Sequence, residues 1–433
     1  MITPPTLTRV RALVPRRWDA RIRLPRDLGA VTTIGPEDDP AAAGLTRCDV
    51  ERMWRSAVAL YRTGAHPSVV LTVRRRGRVV VNRAIGHAWG NGPFDPPDAE
   101  RVLATPSTPF CVYSASKGVT ATVVHALAER GAFGLDDRVA DHIDGYGNHG
   151  KQDTTIRHVL GHRAGVPFLP RRAADLDHIG DREFIRQVMS ELRPVFRPGT
   201  RLAYHALTGG FILEEVVRSA TGRSLRDHLA ELVLDPLGFR WSNYGVATAD
   251  VPLVAPAYRT GPTLLPPVSG YVSRVLSGSL DETVAKSLDP RFLTAVVPSA
   301  NVVTTGEEMA RFYDVLAHGG SLDGVEVVRP DTLRAATRTT ARLEPDLGLG
   351  GLPVRYGAGY MLGADRLSVF GLHADRAFGH VGLMNVQGWA DPERALAAAL
   401  ITSGKVIVYE GVPTWLAIAN TINASVPRGE PTF

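Results

Sequence analysis

The sequence predicts an α/β sandwich: an antiparallel sheet flanked by helices, with a mainly helical domain inserted. Three observations predict it. A helical pattern followed by a strand pair occupies Asp49 to Ile85. The middle, to about residue 297, reads as helices joined by long irregular links. Strand and helix patterns return between Pro298 and Asn423. The two terminal segments therefore belong to one strand-and-helix layer, and the middle is inserted between them. The expected boundaries are 1–47 for an N-terminal extension, 48–113 and 298–433 for the sandwich, and 114–297 for the helical domain. A chain of 433 residues suits two or three structural units.

Taken in order, residues 1–47 are rich in Pro, Arg and Gly and lack a clean period, so they read as a surface-wrapping or partly mobile extension. Asp49 to Arg62 carries Met53, Ala57 and Leu60 at helical spacing, and Gly64 stops it. Ser68–Val73 and Arg78–Ile85 are strands joined by a turn at Gly77, and Arg74, Arg75 and Arg76 beside it read as a solvated edge. Residues 114–131 form a helix with Val119, Val123, Ala126 and Leu127 as its buried stripe. Leu213–Ala220 and Leu225–Val233 are helices, and Asp235-Pro236 ends the second. Pro252 to Pro290 is a long loop of the kind that forms a lid or site wall. Glu307–Ala317 is an amphipathic helix. Asn385–Ala390 and Ala395–Thr402 are strands, and Pro413–Asn423 is a closing helix that starts on proline.

Composition narrows the function classes. The chain is 44% hydrophobic and 21% charged, ordinary globular usage. No uncharged apolar run reaches the ~18 residues of a membrane helix. The net charge of +5 arises from 49 basic against 44 acidic residues spread along the chain, with no nucleic-acid-binding module. The N-terminus lacks an apolar signal core, which predicts a cytoplasmic protein. The basic N-terminal arm leaves a peripheral membrane contact open. Cys48 and Cys111 make no metal pattern and read as free buried thiols. Almost all the base is Arg; the lysines are Lys117, Lys151, Lys286 and Lys405, so each lysine invites a question about its chemistry.

Three short motifs could carry chemistry. Ser114 and Lys117 stand three apart and share a helix face. A serine hydroxyl needs a base, and a desolvated lysine can serve as one. A helix start also offers N–H groups to an oxyanion. Tyr204, in Tyr204-His205-Ala206, could relay a proton beside a cation. His380, in Gly379-His380-Val381-Gly382, could orient a substrate where glycines allow close approach. Each has a plain structural alternative: a capping serine with a surface lysine, a half-buried tyrosine, a tight turn. His158 and His162 have zinc-pair spacing, but Val159 stands where a zinc protease needs glutamate, so they read as structural histidines. Gly348-Leu349-Gly350-Gly351 lacks the strand-then-helix setting of a dinucleotide loop, and no G-x-S-x-G elbow or Walker A is present.

The three motifs together, in this order and spacing, resemble the serine β-lactamase and penicillin-binding-protein superfamily. The stretch from Thr155 through Leu160-Gly161-His162-Arg163-Ala164-Gly165-Val166-Pro167 is similar to that family's LLsHrAGlP element. Tyr204 to Gly210, Pro298-Ser299-Ala300-Asn301 and Phe378 to Gly382 resemble the class-C-like branch, above all the family VIII carboxylesterases. The resemblance spans about residues 50 to 425 and implies a β-lactamase/transpeptidase-like fold with the site between sheet and helical domain. It implies that Ser114 is the acylated nucleophile, Lys117 its activator and Tyr204 the proton shuttle. It further implies an oxyanion hole from the N–H groups of Ser114 and Leu383, with His380 and Gly382 lining the substrate. No cofactor or metal is implied. Two departures weaken a lactam or peptide substrate: Ala206 replaces an asparagine, and His380 replaces a lysine. The expected function is a serine hydrolase that cleaves short-chain carboxylic esters, its partner a small-molecule ester. The alternatives are a β-lactamase, a D-amino-acid peptidase or a transacylase, and, from another class, a non-catalytic binding protein.

Overall fold

The computed structural model describes residues 19–338, 343–366, 368–383 and 385–433. Residues 1–18, most of the expected basic arm, lie outside the described residues.

Eight strands make the main sheet: β1 (Thr32–Ile34), β2 (Ser68–Arg75), β3 (Arg78–Trp89), β4 (Val102–Leu103), β5 (Met361–Leu362), β6 (Phe378–Gly382), β7 (Val386–Asp391) and β8 (Leu396–Thr402). The order is β5-β6-β7-β8-β2-β3-β1, with β4 also paired to β3, and every pairing is antiparallel. Strands from both ends of the chain thus lie side by side, as expected. The segment before residue 48 supplies an edge strand.

Both faces of the sheet are covered, so its central strands are apolar throughout rather than alternating. Val69, Leu71 and Val73 of β2, with Leu396, Ala398 and Leu400 of β8, pack under α1 (Arg47–Tyr61) and the C-terminal helix Val412–Ser425. Val70, Ala397, Ala399 and Ile401 point the other way, toward the helix Gly306–Ala317 and the rest of the core. Thr46 and Asp49 form a capping box that starts α1.

Four expectations require correction. Arg74 and Arg75 are not at a solvated edge, because β2 lies between β8 and β3. Arg75 is buried and donates to the carbonyls of Ala43 and Arg394, and Arg74 pairs with the buried Asp314 at 2.8 Å. The turn itself is tight, with Arg76 and Gly77 both at positive φ (51° and 74°), which suits the twist of a hairpin. Second, the helix from Leu225 does not end at Val233. A π turn over Ala230–Leu234 carries it to Leu237, where Gly238 at φ 66° stops it. The shifted hydrogen-bond ladder accommodates Pro236. Third, Pro252 to Pro290 is not one loop. It contains helices Val268–Leu276 and Leu280–Lys286, the second begun by a Ser279–Glu282 capping box. Helices this short show little period in sequence. Fourth, Cys111 is buried but Cys48, in the first turn of α1, is exposed.

The helix α2 (Ser116–Glu129) is buried on all sides as far as Leu127, rather than along one stripe. It touches β6 on one side and the helices Thr208–Thr221 and Leu225–Leu229 on the other. Its N-terminus is anchored by a small sheet in which Val302–Thr304 pairs with both Phe110–Cys111 and Asn243–Tyr244. Among the described residues no helix is long and apolar enough to cross a membrane.

Candidate active site

Ser114 sits in a 3-10 turn, Tyr113–Ala115, that leads into α2. Two contacts hold this turn. Ser116 Oγ donates to the Tyr113 carbonyl and accepts from Val302 N at 3.0 Å. Tyr113 takes φ 50°, a left-handed conformation unusual for a bulky residue, and its phenol bonds Ser287 Oγ at 2.6 Å. The strained residue directly precedes Ser114 and turns it toward a cavity.

Lys117 Nζ lies 3.2 Å from Ser114 Oγ, 2.8 Å from the Ala206 carbonyl and 3.1 Å from the Ser299 carbonyl. Burial drives its pKa well below the usual lysine value, and no carboxylate opposes that shift. A neutral amine has two N–H donors and one lone pair. The two carbonyls can only accept, so they take both donors. The lone pair is then left facing Ser114 Oγ, the arrangement of a base beside its proton donor.

Tyr204 lies on the other side. Its ring centroid is 4.7 Å from Lys117 Nζ, and its phenol lies beside Ser114. Burial raises the phenol pKa far above normal, so Tyr204 holds its proton. The structure therefore brings Ser114, Lys117 and Tyr204 together from segments about 90 residues apart.

The third motif is brought to the same place. His380, on β6, is buried, with its ring 6.1 Å from that of Tyr204. Its Nδ1 meets the Val381 carbonyl, and burial lowers its pKa to about 3, so the ring is neutral. Gly382 has a packing reason: a Cβ there would stand 2.0 Å from the Val112 carbonyl oxygen and 2.9 Å from Ala115 N. Only glycine lets β6 approach the serine turn so closely. Leu383 follows at φ 28° and lines the cavity with Ser114.

That cavity, of about 80 Å³, is mainly apolar, walled by Tyr113, Ala206, Leu207, Phe292 and Leu383. Ser277, Glu282 and Ser287 come from the Pro252–Pro290 segment, which supplies a site wall as expected.

Three residues at the site have no counterpart among the expected ones. His162, read as structural, packs its ring 4.7 Å from the Tyr204 ring and accepts from His205 N at 3.1 Å. His205 is itself neutral, its pKa lowered to about 3 by burial. Asp346 is fully buried and accepts three backbone N–H bonds, from Tyr204 at 2.8 Å, Gly348 at 2.7 Å and Leu349 at 3.2 Å. Gly348 approaches Tyr204 so closely that a Cβ would meet its nitrogen at 2.3 Å. Within the Gly348–Gly351 run it is Gly348 that packs against the tyrosine backbone. Asp346 lies 142 residues from Tyr204 in sequence, and no local pattern announces the contact. Among the described residues no three His, Cys, Asp or Glu side chains gather as a metal set.

Comparison with known proteins bears on the family and the fold. The beta-lactamase family model matches residues 50–420. The chain is 32% identical over 306 residues to the esterase/beta-lactamase LipL of Mycobacterium tuberculosis, covering 67% of this chain and 68% of that protein. A crystal structure of a family VIII carboxylesterase superposes with TM-score 0.72 at 25% identity, over 87% of this chain and 98% of that one. A penicillin-binding-protein homologue from Caulobacter crescentus shares the fold, with TM-score 0.75 at 24% identity, over 91% of this chain and all (100%) of the other. With residues 50–420 matched and this site at their centre, the chain belongs to the beta-lactamase family and is a beta-lactamase-like serine hydrolase.

Proposed function

We propose that the protein hydrolyses short-chain carboxylic esters through an acyl-enzyme on Ser114. The observation that carries this reading is the buried amine of Lys117, 3.2 Å from Ser114 Oγ and held by the carbonyls of Ala206 and Ser299. Lys117 takes the hydroxyl proton as Oγ attacks the ester carbonyl. The N–H groups of Ser114 and Leu383 receive the oxyanion. Tyr204, still protonated, passes its proton to the departing alkoxide and takes one back from the neighbouring Lys117 ammonium, which returns to the neutral amine. Water then repeats the sequence and releases the acid. The cavity of about 80 Å³ favours a small acyl group.

Esters are preferred over lactams for a physical reason. A lactam presents an amide and a carboxylate. Ala206 offers no side-chain donor, and its carbonyl is already held by Lys117. His380 is neutral, its pKa near 3, and cannot pair with a carboxylate. Each polar group left unpaired in a desolvated cleft costs about 1–3 kcal/mol. The kcat/KM for p-nitrophenyl butyrate is expected to exceed that for nitrocefin by at least about a hundredfold. Ala206→Asn is expected to narrow the gap by raising the nitrocefin rate. Equal efficiencies on the two substrates would favour the second reading, a β-lactamase, to which the double name of the Mycobacterium relative also points.

Asp346 supports the same reading as a positioning residue for Tyr204. Asp346→Ala removes the acceptor of three N–H groups and frees the backbone that carries the phenol. Ester kcat is expected to fall by up to about a hundredfold, as a misplaced catalytic group costs. Asp346→Asn keeps an acceptor oxygen and is expected to stay within about tenfold of wild type. Steady-state kinetics with melting curves of both variants check this; equal losses in the two would assign the effect to charge rather than to the hydrogen bonds.

A further inference from the structure

A second cavity, of about 220 Å³, meets the one in front of Ser114 at Ser287 and is larger. Its walls are mostly apolar, with Trp89, Phe110, Val254 and Leu293 among them, and Lys405 and Cys111 also line it. Tyr113 lines the space before Ser114 and stands next to Lys405 of the larger one. Its ring centroid is 5.1 Å from Lys405 Nζ, and its phenol bonds Ser287, which lines both cavities.

Lys405 is the unusual feature. It is 1% exposed, held by parallel pairing of Gly404–Lys405 with Tyr258–Arg259. Buried lysines are rare unless paired or caged. Lys117 has three hydrogen-bond partners, and Lys151, fully buried, spans two carbonyls, those of Ser190 and Leu192. Lys405 donates to one, the Thr402 carbonyl at 2.6 Å, and forms no ion pair among the described residues. Two of its donor positions are left over at the wall of an apolar space. The groups nearest it are uncharged: burial raises the Cys111 thiol to about 11 and lowers His66 to about 3. Arg259, on the paired strand, faces Asp281 at 3.5 Å, and Glu100 lines the same cavity without acting on the amine. Burial, opposed by Cys111, brings Lys405 down to about 7, so an arriving anion restores a charge that the amine barely holds.

We propose that this cavity is a binding site for a medium-chain aliphatic carboxylate, its head on Lys405 and its chain along the apolar wall. An apolar tail with one anionic head satisfies both features at once. A neutral alkane leaves the amine unpaired, and a small anion leaves the wall unfilled. The site is separate from Ser114, and its occupancy is read without turnover, so it stands or falls independently of the ester reading.

Isothermal titration of the intact protein with sodium octanoate at pH 6.5 tests it. Octanoate is expected to bind with a dissociation constant below about 1 mM. Affinity should rise by roughly fourfold per methylene from butyrate to octanoate, as apolar burial requires. Octan-1-ol should bind at least about tenfold more weakly, since it lacks the charge-assisted bond. Lys405→Met should lose at least about tenfold for octanoate and leave octan-1-ol unchanged. Ala257→Phe, which fills the cavity from its apolar wall and keeps the Lys405 amine, should weaken both ligands and guards against misfolding of the first variant. Three results would each overturn the proposal. One is no octanoate binding by the wild type. Another is octanol binding as tight as octanoate. The third is unchanged octanoate affinity in both variants, which would place the ligand elsewhere, including the cavity before Ser114.

Discussion

Ser114→Ala is expected to lower p-nitrophenyl butyrate turnover by about 10⁴-fold or more, the scale seen when an acylated nucleophile is removed. The protein should remain folded. Ser114 caps no helix: the N-cap of α2 is Ala115, and the structural hydroxyl of the turn is that of Ser116. Loss of the Ser114 hydroxyl leaves Lys117 its two carbonyl partners, so the cost in stability is about 1 kcal/mol. Melting curves and ester kinetics on the same preparation check both halves. Substantial residual turnover with an unchanged acyl-chain preference would move the nucleophile elsewhere. A melting point lowered by tens of degrees would mean that the turn depends on this hydroxyl, against the contacts described.

Lys117→Arg is expected to be nearly as inactive as Lys117→Ala, at least about a thousandfold below wild type, within the range that general-base catalysis contributes. Arginine stays protonated where Lys117 can be neutral, and it has no lone pair for the Ser114 proton. It must also fit a space closed by the Ala206 and Ser299 carbonyls. The pH profile gives an independent measurement. The base works when neutral, and burial moves Lys117 well below the ordinary lysine range. Activity should therefore rise with pH and level off once pH exceeds that lowered pKa, well short of the usual 10.5. An activity that kept climbing through pH 10 would mean a lysine with an ordinary pKa. Near-normal rates in Lys117→Arg would make the residue a fixed charge and shift the base role to Tyr204.

Much of this was legible in the sequence because it repeats along the chain. Short apolar runs beside turn residues, Ser68–Val73 and Ala395–Thr402, reported strands, and the 3.6-residue period reported the helices near 49–62 and 307–317. Three-residue spacing was enough to bring Ser114 beside Lys117, even though Ser114 lies in a 3-10 turn rather than in the helix. The placement of Tyr204 and His380 beside them followed from the order of motifs, not from any period. Other features depended on segments far apart meeting in space. Arg75 looks like a solvated charge until β8 and Ala43 close over it. Asp346 is an unremarkable acid until it meets the Tyr204 backbone. The basicity of Lys117, the neutrality of His380 and the spare donors of Lys405 all come from desolvation. Desolvation sums over every neighbour that excludes water, and those neighbours are drawn from the whole chain. A period can report which face of an element is buried. How deeply a given amine is buried, and whether a carboxylate arrives with it, is decided only when the layers pack.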